Sequence, residues 1–140
     1  MAGPLHAGLD GAAARFGDRD AVRAGGDAWS FADLAAWSRQ LAADLAGRGV
    51  APGDRVALML TNRVELLVLV EAVARLGAAS VLVSPAWKAA EVGPALDLTD
   101  ASLAVGEAAT VPVLRDALGA ERVLDVDDLG EGAEGLADAD

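Results

Sequence analysis

Few side chains in this sequence could act on a bound molecule. It has one lysine, Lys88, one histidine, His6, and no cysteine. Without cysteine there is no thiolate nucleophile, disulfide framework or Cys-based zinc site. A lone histidine so close to the start of the chain reads as a solvated residue rather than a ligand or base. Asp125, Asp127 and Asp128 invite a divalent cation, but nothing nearby supplies a rigid oxygen cage, and the acidic stretch that contains them is the simpler account. Gly130-Glu131-Gly132-Ala133-Glu134-Gly135 matches G-x-G-x-x-G literally and follows a run of strand character. A dinucleotide loop must open a helix whose amides face a pyrophosphate, whereas here two glutamates would point at it. Asp33, Asp54 and Glu65 are accounted for by helix caps and turns.

The 140 residues suit one domain, and 54% apolar content is ample for one core. The formal net charge is −11, and eight acids and one base fall from Glu121 onward, so residues 1–120 carry only −4. This balance repels nucleic acid and anionic membrane, and neither is expected as a partner. Residues 1–127 read as the folded domain and residues 128–140 as an acidic, disordered tail. Met1 to Phe16 lacks a basic region followed by an apolar run, so it is no secretory signal. Val64 to Leu76 is interrupted by Glu65, Glu71 and Arg75 and is too short to span a bilayer. A cytoplasmic protein is the default.

The pattern alternates helices and strands. Leu5 to Phe16 is a weak, Gly- and Ala-rich helix. Ala21–Arg23 and Ala28–Ser30 flank a turn at Ala24-Gly25-Gly26-Asp27. Phe31 to about Arg48 is the best-marked helix: Ser30 and Asp33 form a capping-box pattern, Leu34, Trp37, Leu41 and Leu45 make one buried stripe, and Gly47 and Gly49 offer the stop. Arg55 to Leu60 is a strand. Asn62 is expected to cap the next helix, with Glu71 and Arg75 paired at i, i+4, and Gly77 ends it. That helix is apolar nearly all round and is expected between a sheet and another layer. Ala79–Val83, Ser102–Val105 and Arg122–Val126 are further strands, and Glu91–Leu98 and Val111–Leu118 further helices, the former disturbed at Gly93-Pro94. The fold class is α/β, a mostly parallel sheet with flanking helices.

Trp29-Ser30-Phe31-Ala32-Asp33-Leu34 opening a long helix, Gly49-Val50-Ala51-Pro52-Gly53-Asp54-Arg55-Val56 closing it, then Asn62-Arg63-Val64-Glu65, Gly77-Ala78, Ser84-Pro85 and Glu91-Val92 follow one another in order. In that order and spacing the chain resembles the N-terminal region of the adenylate-forming (AMP-binding) acyl-CoA synthetase/ligase family. Three positions depart from the family pattern: Leu82 replaces a Pro, Ser84 an Asn, and Lys88 a capping Thr or Ser.

The resemblance implies an enzyme that joins a carboxylic acid to ATP as an acyl-adenylate and passes the acyl group to CoA or a carrier thiol, with ATP, Mg and CoA as cofactors. The family's Ser/Thr/Gly-rich phosphate loop with its lysine, its nucleotide-binding motifs and its C-terminal catalytic lysine do not occur in these 140 residues. The expectation is therefore a truncated N-terminal scaffold, inactive alone, with no catalytic residue and no metal ligand of its own. The resemblance nominates Lys88 and Arg115 as contacts to CoA phosphate, while the residues by themselves read as solvated surface charges. Two rival readings remain. One is a subunit of a split ligase, or an interaction module derived from one, whose partner is a separately encoded remainder. The other is an unrelated doubly wound domain, which would need a phosphate loop or an acidic pocket that the turn Thr61-Asn62-Arg63 does not supply.

Overall fold

A computed structural model describes residues 5–24 and 26–129, with residues 5–7 and Ala24 as backbone only. Residues 130–140 of the tail expected at 128–140, the G-x-G-x-x-G string, the His6 side chain and Gly25 lie outside the described residues. In chain order the elements are α1 (Leu5–Phe16), β1 (Asp20–Ala24), β2 (Asp27–Ser30), α2 (Phe31–Gly47), β3 (Arg55–Met59), α3 (Val64–Arg75), β4 (Ala79–Leu82), α4 (Ala89–Thr99), β5 (Leu103–Gly106), α5 (Val111–Leu118) and β6 (Val123–Asp125). Single 3-10 turns precede and follow β6.

β1 and β2 pair as the expected antiparallel hairpin. The other four strands form one parallel sheet in the order β4-β3-β5-β6. From β3 the chain crosses to β4 in one direction. From β4 it returns past β3 to β5 and then on to β6. A right-handed crossover reverses the face of its helix when it reverses direction. That rule puts α3 on one face and α4 and α5 on the other, and the packing agrees. Val56, Leu58, Leu103 and Val105 point into a core shared with α2 and α3. The intervening Ala57, Met59 and Ala104 point into a second core with Val92, Leu96, Val111 and Leu114 of α4 and α5. The period-two alternation of β3 thus feeds both cores, as a central parallel strand must.

α2 starts where its cap says it should. Asp33 N–H donates to Ser30 Oγ at 3.0 Å, and Ser30 N–H donates to Asp33 Oδ2 at 3.0 Å. The stripe Leu34, Trp37, Leu41 and Leu45 is buried, each at 5% exposure or less. Of the two expected stop residues Gly49 is the one used. With φ at +100° it lets its N–H reach Ala46 O and lets Val50 N–H reach Leu45 O, and the pair of bonds closes the last turn. Gly47 remains inside the helix. α3 closes in the same way, with Gly77 at φ +73°.

The start of α3 differs from expectation. Its N-cap is Arg63, which makes no side-chain cap bond, and Asn62 does not cap the helix. The polar groups of this turn are committed elsewhere: Thr61 is bound to Glu107, and Arg63 turns onto Glu65. Arg75 reaches across to Asp10 on α1. α4 continues as one helix through Gly93-Pro94. Ala90, whose carbonyl loses its usual donor to the proline, is exposed, so water can serve it. Leu129, the last described residue, is buried against the α2–α3 core at 6% exposure.

Candidate functional site

In an open parallel sheet, ligands bind beyond the carboxyl ends of the strands where the winding reverses. Here that place lies between β3 and β5. Its floor is a polar clasp. Thr61, just past β3, donates its N–H to Glu107 Oε1 at 2.8 Å and its hydroxyl to the same oxygen at 3.0 Å. Thr110 Oγ donates to the carbonyl of Met59 at 2.7 Å and accepts from Glu107 N–H at 2.9 Å. Thr110 is 3% exposed, so its hydroxyl joins β3 to the loop after β5 out of contact with water. This closeness requires Gly106. A Cβ there would stand 2.7 Å from Thr110 Oγ and 2.8 Å from Leu114 Cδ1.

Beside the clasp the Arg63 guanidinium meets three carboxylates. It bonds to Glu65 and lies 3.5 Å from Asp127 and 3.8 Å from Glu107. The hydrogen bond that Arg63 donates to Glu65 raises the Arg63 pKa, burial opposes the rise, and the three negative charges add to it. Burial alone would raise the Glu65 carboxyl, but its hydrogen bonds from Arg63 and from its own backbone, with the charge of Arg63, hold it below the ordinary carboxylate range. A carboxylate held ionised in this way is a poor proton donor at neutral pH. Arg63 is likewise saturated rather than free to take up an anion.

Of the residues nominated from the sequence, Lys88 lies at this edge on the α4 side, and Arg115 lies in the last turn of α5, toward the amino ends of the strands. Lys88 is the N-cap of α4, directly after the turn that leaves β4, and it is exposed. Its side chain does not cap the helix, but its N–H donates to Glu91 Oε1 at 3.3 Å, so half of a capping box survives the loss of Thr or Ser. Arg115 is exposed on α5. No described contact brings the two together. They share one property: among the described residues they are the two basic side chains with no acid, carbonyl or ring partner. Arg15 and Arg19 stack on Phe16, and Arg23, Arg39, Arg48, Arg63 and Arg75 hold carboxylates. Arg55 donates to Thr99 O, and Arg122 to Ala101 O and Ser102 O.

The other candidates resolve into structure. Asp125 Oδ1 accepts Asp127 N–H at 2.9 Å, a cap on the short turn after β6. Among the described residues no group of three or more His, Cys, Asp or Glu could hold a metal ion. Trp37 is core, whereas Trp87 is 39% exposed. Glu107, Thr110 and the reach of Arg63 to Asp127 were not foreseen. Their signal was present only as polar residues just past three strands, and it acquires meaning once β3 and β5 are known to be neighbours.

The family model described as AMP-binding enzyme matches residues 9–139. A salicyl-AMP ligase / salicyl-S-ArCP synthetase of Mycobacterium tuberculosis is 41% identical over 90 residues, covering 61% of this chain and 16% of its own length. A 4-coumarate–CoA ligase of Oryza sativa subsp. japonica is 36% identical over 121 residues, covering 82% of this chain and 22% of the relative. Among solved structures, VinN in complex with 3-methylaspartate superposes with a TM-score of 0.88 at 27% identity, over 98% of this chain and 38% of that one. The chain spans 16–17% of the length of the first curated relatives it matches. No helix among the described residues is long and apolar enough to cross a membrane.

Proposed function

Since this chain belongs to the AMP-binding enzyme family, as an N-terminal region of its ligases, we propose that it is the scaffold unit of a cytoplasmic AMP-forming acid–thiol ligase and does not adenylate by itself. The observation that carries this reading is the pairing of a match across residues 9–139 with a carboxyl edge whose polar groups are spent on one another. Adenylation needs donors around a triphosphate and a charge clamp for attack of the carboxylate on the α-phosphorus. The one lysine sits outside any glycine-rich loop, and the described residues hold no metal-binding group. ATP and Mg therefore do not fit this unit, and no step is routed through them. CoA phosphate is the anion this reading assigns to the two uncommitted cations, which no described contact brings together. Lys88 and Arg115 would hold it as point charges, with the acyl acceptor being CoA or a carrier thiol.

The sheet edge favours a larger assembly. β4 ends the sheet with no charged residue, and Leu82 is 65% exposed. It borders an apolar groove of about 350 Å³ lined by Val70, Ala74, Ala78 and Ser80. Bare edges of this kind are normally covered or guarded by charge. The rest of a ligase, on the same or a separate polypeptide, is the occupant this reading assigns.

The test is ATP–pyrophosphate exchange with the purified 140-residue chain, alone and co-expressed with the remaining portion of a related ligase. No exchange alone and exchange on complementation is expected, and exchange by the lone chain overturns the reading. In the complemented enzyme Lys88→Ala raises KM for CoA and leaves KM for ATP alone. An unchanged CoA KM removes Lys88 from the site.

A further inference from the structure

α1 is held unlike the other helices of this fold. α2 buries seven residues and α3 five. Between Gly8 and Phe16 on α1 no side chain is buried, and Leu9 is only partly covered by the α2–α3 core. Besides the Phe16–Phe31 ring contact, 6.3 Å between centroids, what fastens the described side chains of α1 is a charge contact. Arg75 on α3 grips Asp10 with Nη2 2.6 Å from Oδ1 and Nη1 3.2 Å from Oδ2. Arg39 on α2 adds a longer contact at 3.4 Å. The Arg75 side chain is 11% exposed, and its Nε donates to Ser38 Oγ at 2.8 Å, with Ser38 fully buried. α1 thus neutralises a cation that is otherwise nearly sunk between α2 and α3.

The helix is also weak in itself. Gly8 and Gly11 both lie within it, and a Cβ at either would meet nothing within 4 Å. No close approach requires them. Each lowers the helix's own stability by about two- to fivefold relative to alanine, with no packing in return. Gly17 ends the helix where a Cβ would stand 2.7 Å from Ala13 O, and from there the chain is pinned to the start of α2 by Ala32 N–H to Gly17 O at 3.2 Å and Phe31 N–H to Arg19 O at 3.2 Å. A weak helix, tethered firmly at one end and clasped through the Asp10 carboxylate near its middle, has the construction of a latch.

We propose that α1 is a detachable latch on α2 and α3, closed by the Asp10–Arg75 contact, and that it opens as a unit while the sheet and the other helices stay folded. Opening pivots at Gly17 and uncovers the Arg75 guanidinium beside Ser38. This is independent of any ligase activity. It makes the outer face of α2–α3 a surface whose exposure is set by one carboxylate.

Amide hydrogen exchange on the whole chain under native conditions, read by mass spectrometry over residues 8–16, α2–α3 and β3–β5 separately, tests it. In the wild-type chain the α1 amides exchange at least about tenfold faster than those of α2 and α3, by local rather than global opening. Asp10→Asn speeds α1 by about a further tenfold and leaves β3–β5 unchanged. The double variant Gly8→Ala with Gly11→Ala, which touches no tertiary contact, slows α1 by about tenfold and again leaves the sheet alone. If α1 exchanges in step with α2 and α3, or if the substitutions shift every segment equally, there is no latch. Should Asp10→Asn not fold, the glycine variant decides by itself.

Discussion

Replacing Thr110 asks whether the carboxyl edge is held by a hydroxyl or by packing. Thr110→Val keeps the shape and removes the oxygen. Met59 O then loses a 2.7 Å donor in a site that is 3% exposed, and Glu107 N–H loses its 2.9 Å acceptor. Each hydrogen bond is worth about 1 kcal/mol net, and an orphaned buried group costs about 1–3 kcal/mol, so the expected loss is about 2–3 kcal/mol. Thr110→Ser keeps both bonds and removes one methyl, at about 1 kcal/mol. The hydroxyl account therefore orders the proteins wild type, then Ser, then Val, and a packing account reverses the last two. Urea unfolding followed by tryptophan fluorescence and by circular dichroism gives both free energies, provided the slopes agree. At about 3–5 °C per kcal/mol for a domain of this size, the Val variant melts roughly 6–15 °C below wild type. A Val variant at least as stable as the Ser variant refutes the argument that this hydroxyl joins β3 to the loop after β5.

Gly106→Ala places a methyl 2.7 Å from Thr110 Oγ and 2.8 Å from Leu114 Cδ1, and overpacking of that kind costs about 1–3 kcal/mol, read as a fall in the urea midpoint. An unchanged midpoint would mean that α5 yields freely. The Glu65 carboxyl is held below its ordinary value of 4.5, so its contribution is complete above about pH 4.5 and is lost as pH falls through the lower, folded-state pKa. Wild type should accordingly lose stability more steeply than Glu65→Gln as pH drops below 4.5, and parallel acid limbs would show that the Arg63 contact contributes nothing.

The fold was legible where one strong local rule governed it. Ser30 and Asp33 announced the start of α2, the spacing of Leu34, Trp37, Leu41 and Leu45 gave its buried face, and Leu5–Phe16 and Val111–Leu118 ended where the sequence suggests. It was less legible where two local signals competed. Asn62 is a good cap by composition, yet Arg63 takes that position because Thr61 and Arg63 answer to Glu107 and Glu65, and Glu107 is remote in sequence. Asp100 closes α4 in the left-handed region at φ 55°, a place where glycine would have been the signal. The clasp was illegible for a deeper reason: Thr61 and Glu107 are neighbours only because the winding reverses between β3 and β5, and no stretch of sequence records strand order.

That winding also explains which charges are left for a ligand. At the amino ends of the strands Arg55 and Arg122 donate to Thr99 O, Ala101 O and Ser102 O, the unsatisfied carbonyls at and just past the end of α4, where the helix dipole favours a cation. At the carboxyl ends Arg63 is consumed by three acids, and on the outer face Arg75 is consumed by Asp10. A chain of net charge −11 has no surplus of positive charge to spread, and nearly all of its arginine is spent on holding elements together. An anion approaching the carboxyl edge meets Glu65, Glu107 and Asp127 already bound to Arg63. The basic side chains left uncommitted among the described residues are Lys88, at that edge, and Arg115, in the last turn of α5 toward the opposite edge. The resemblance nominated the same two residues on other grounds. A phosphate arriving at the carboxyl edge would therefore meet Lys88 first, on the α4 side and away from the clasp.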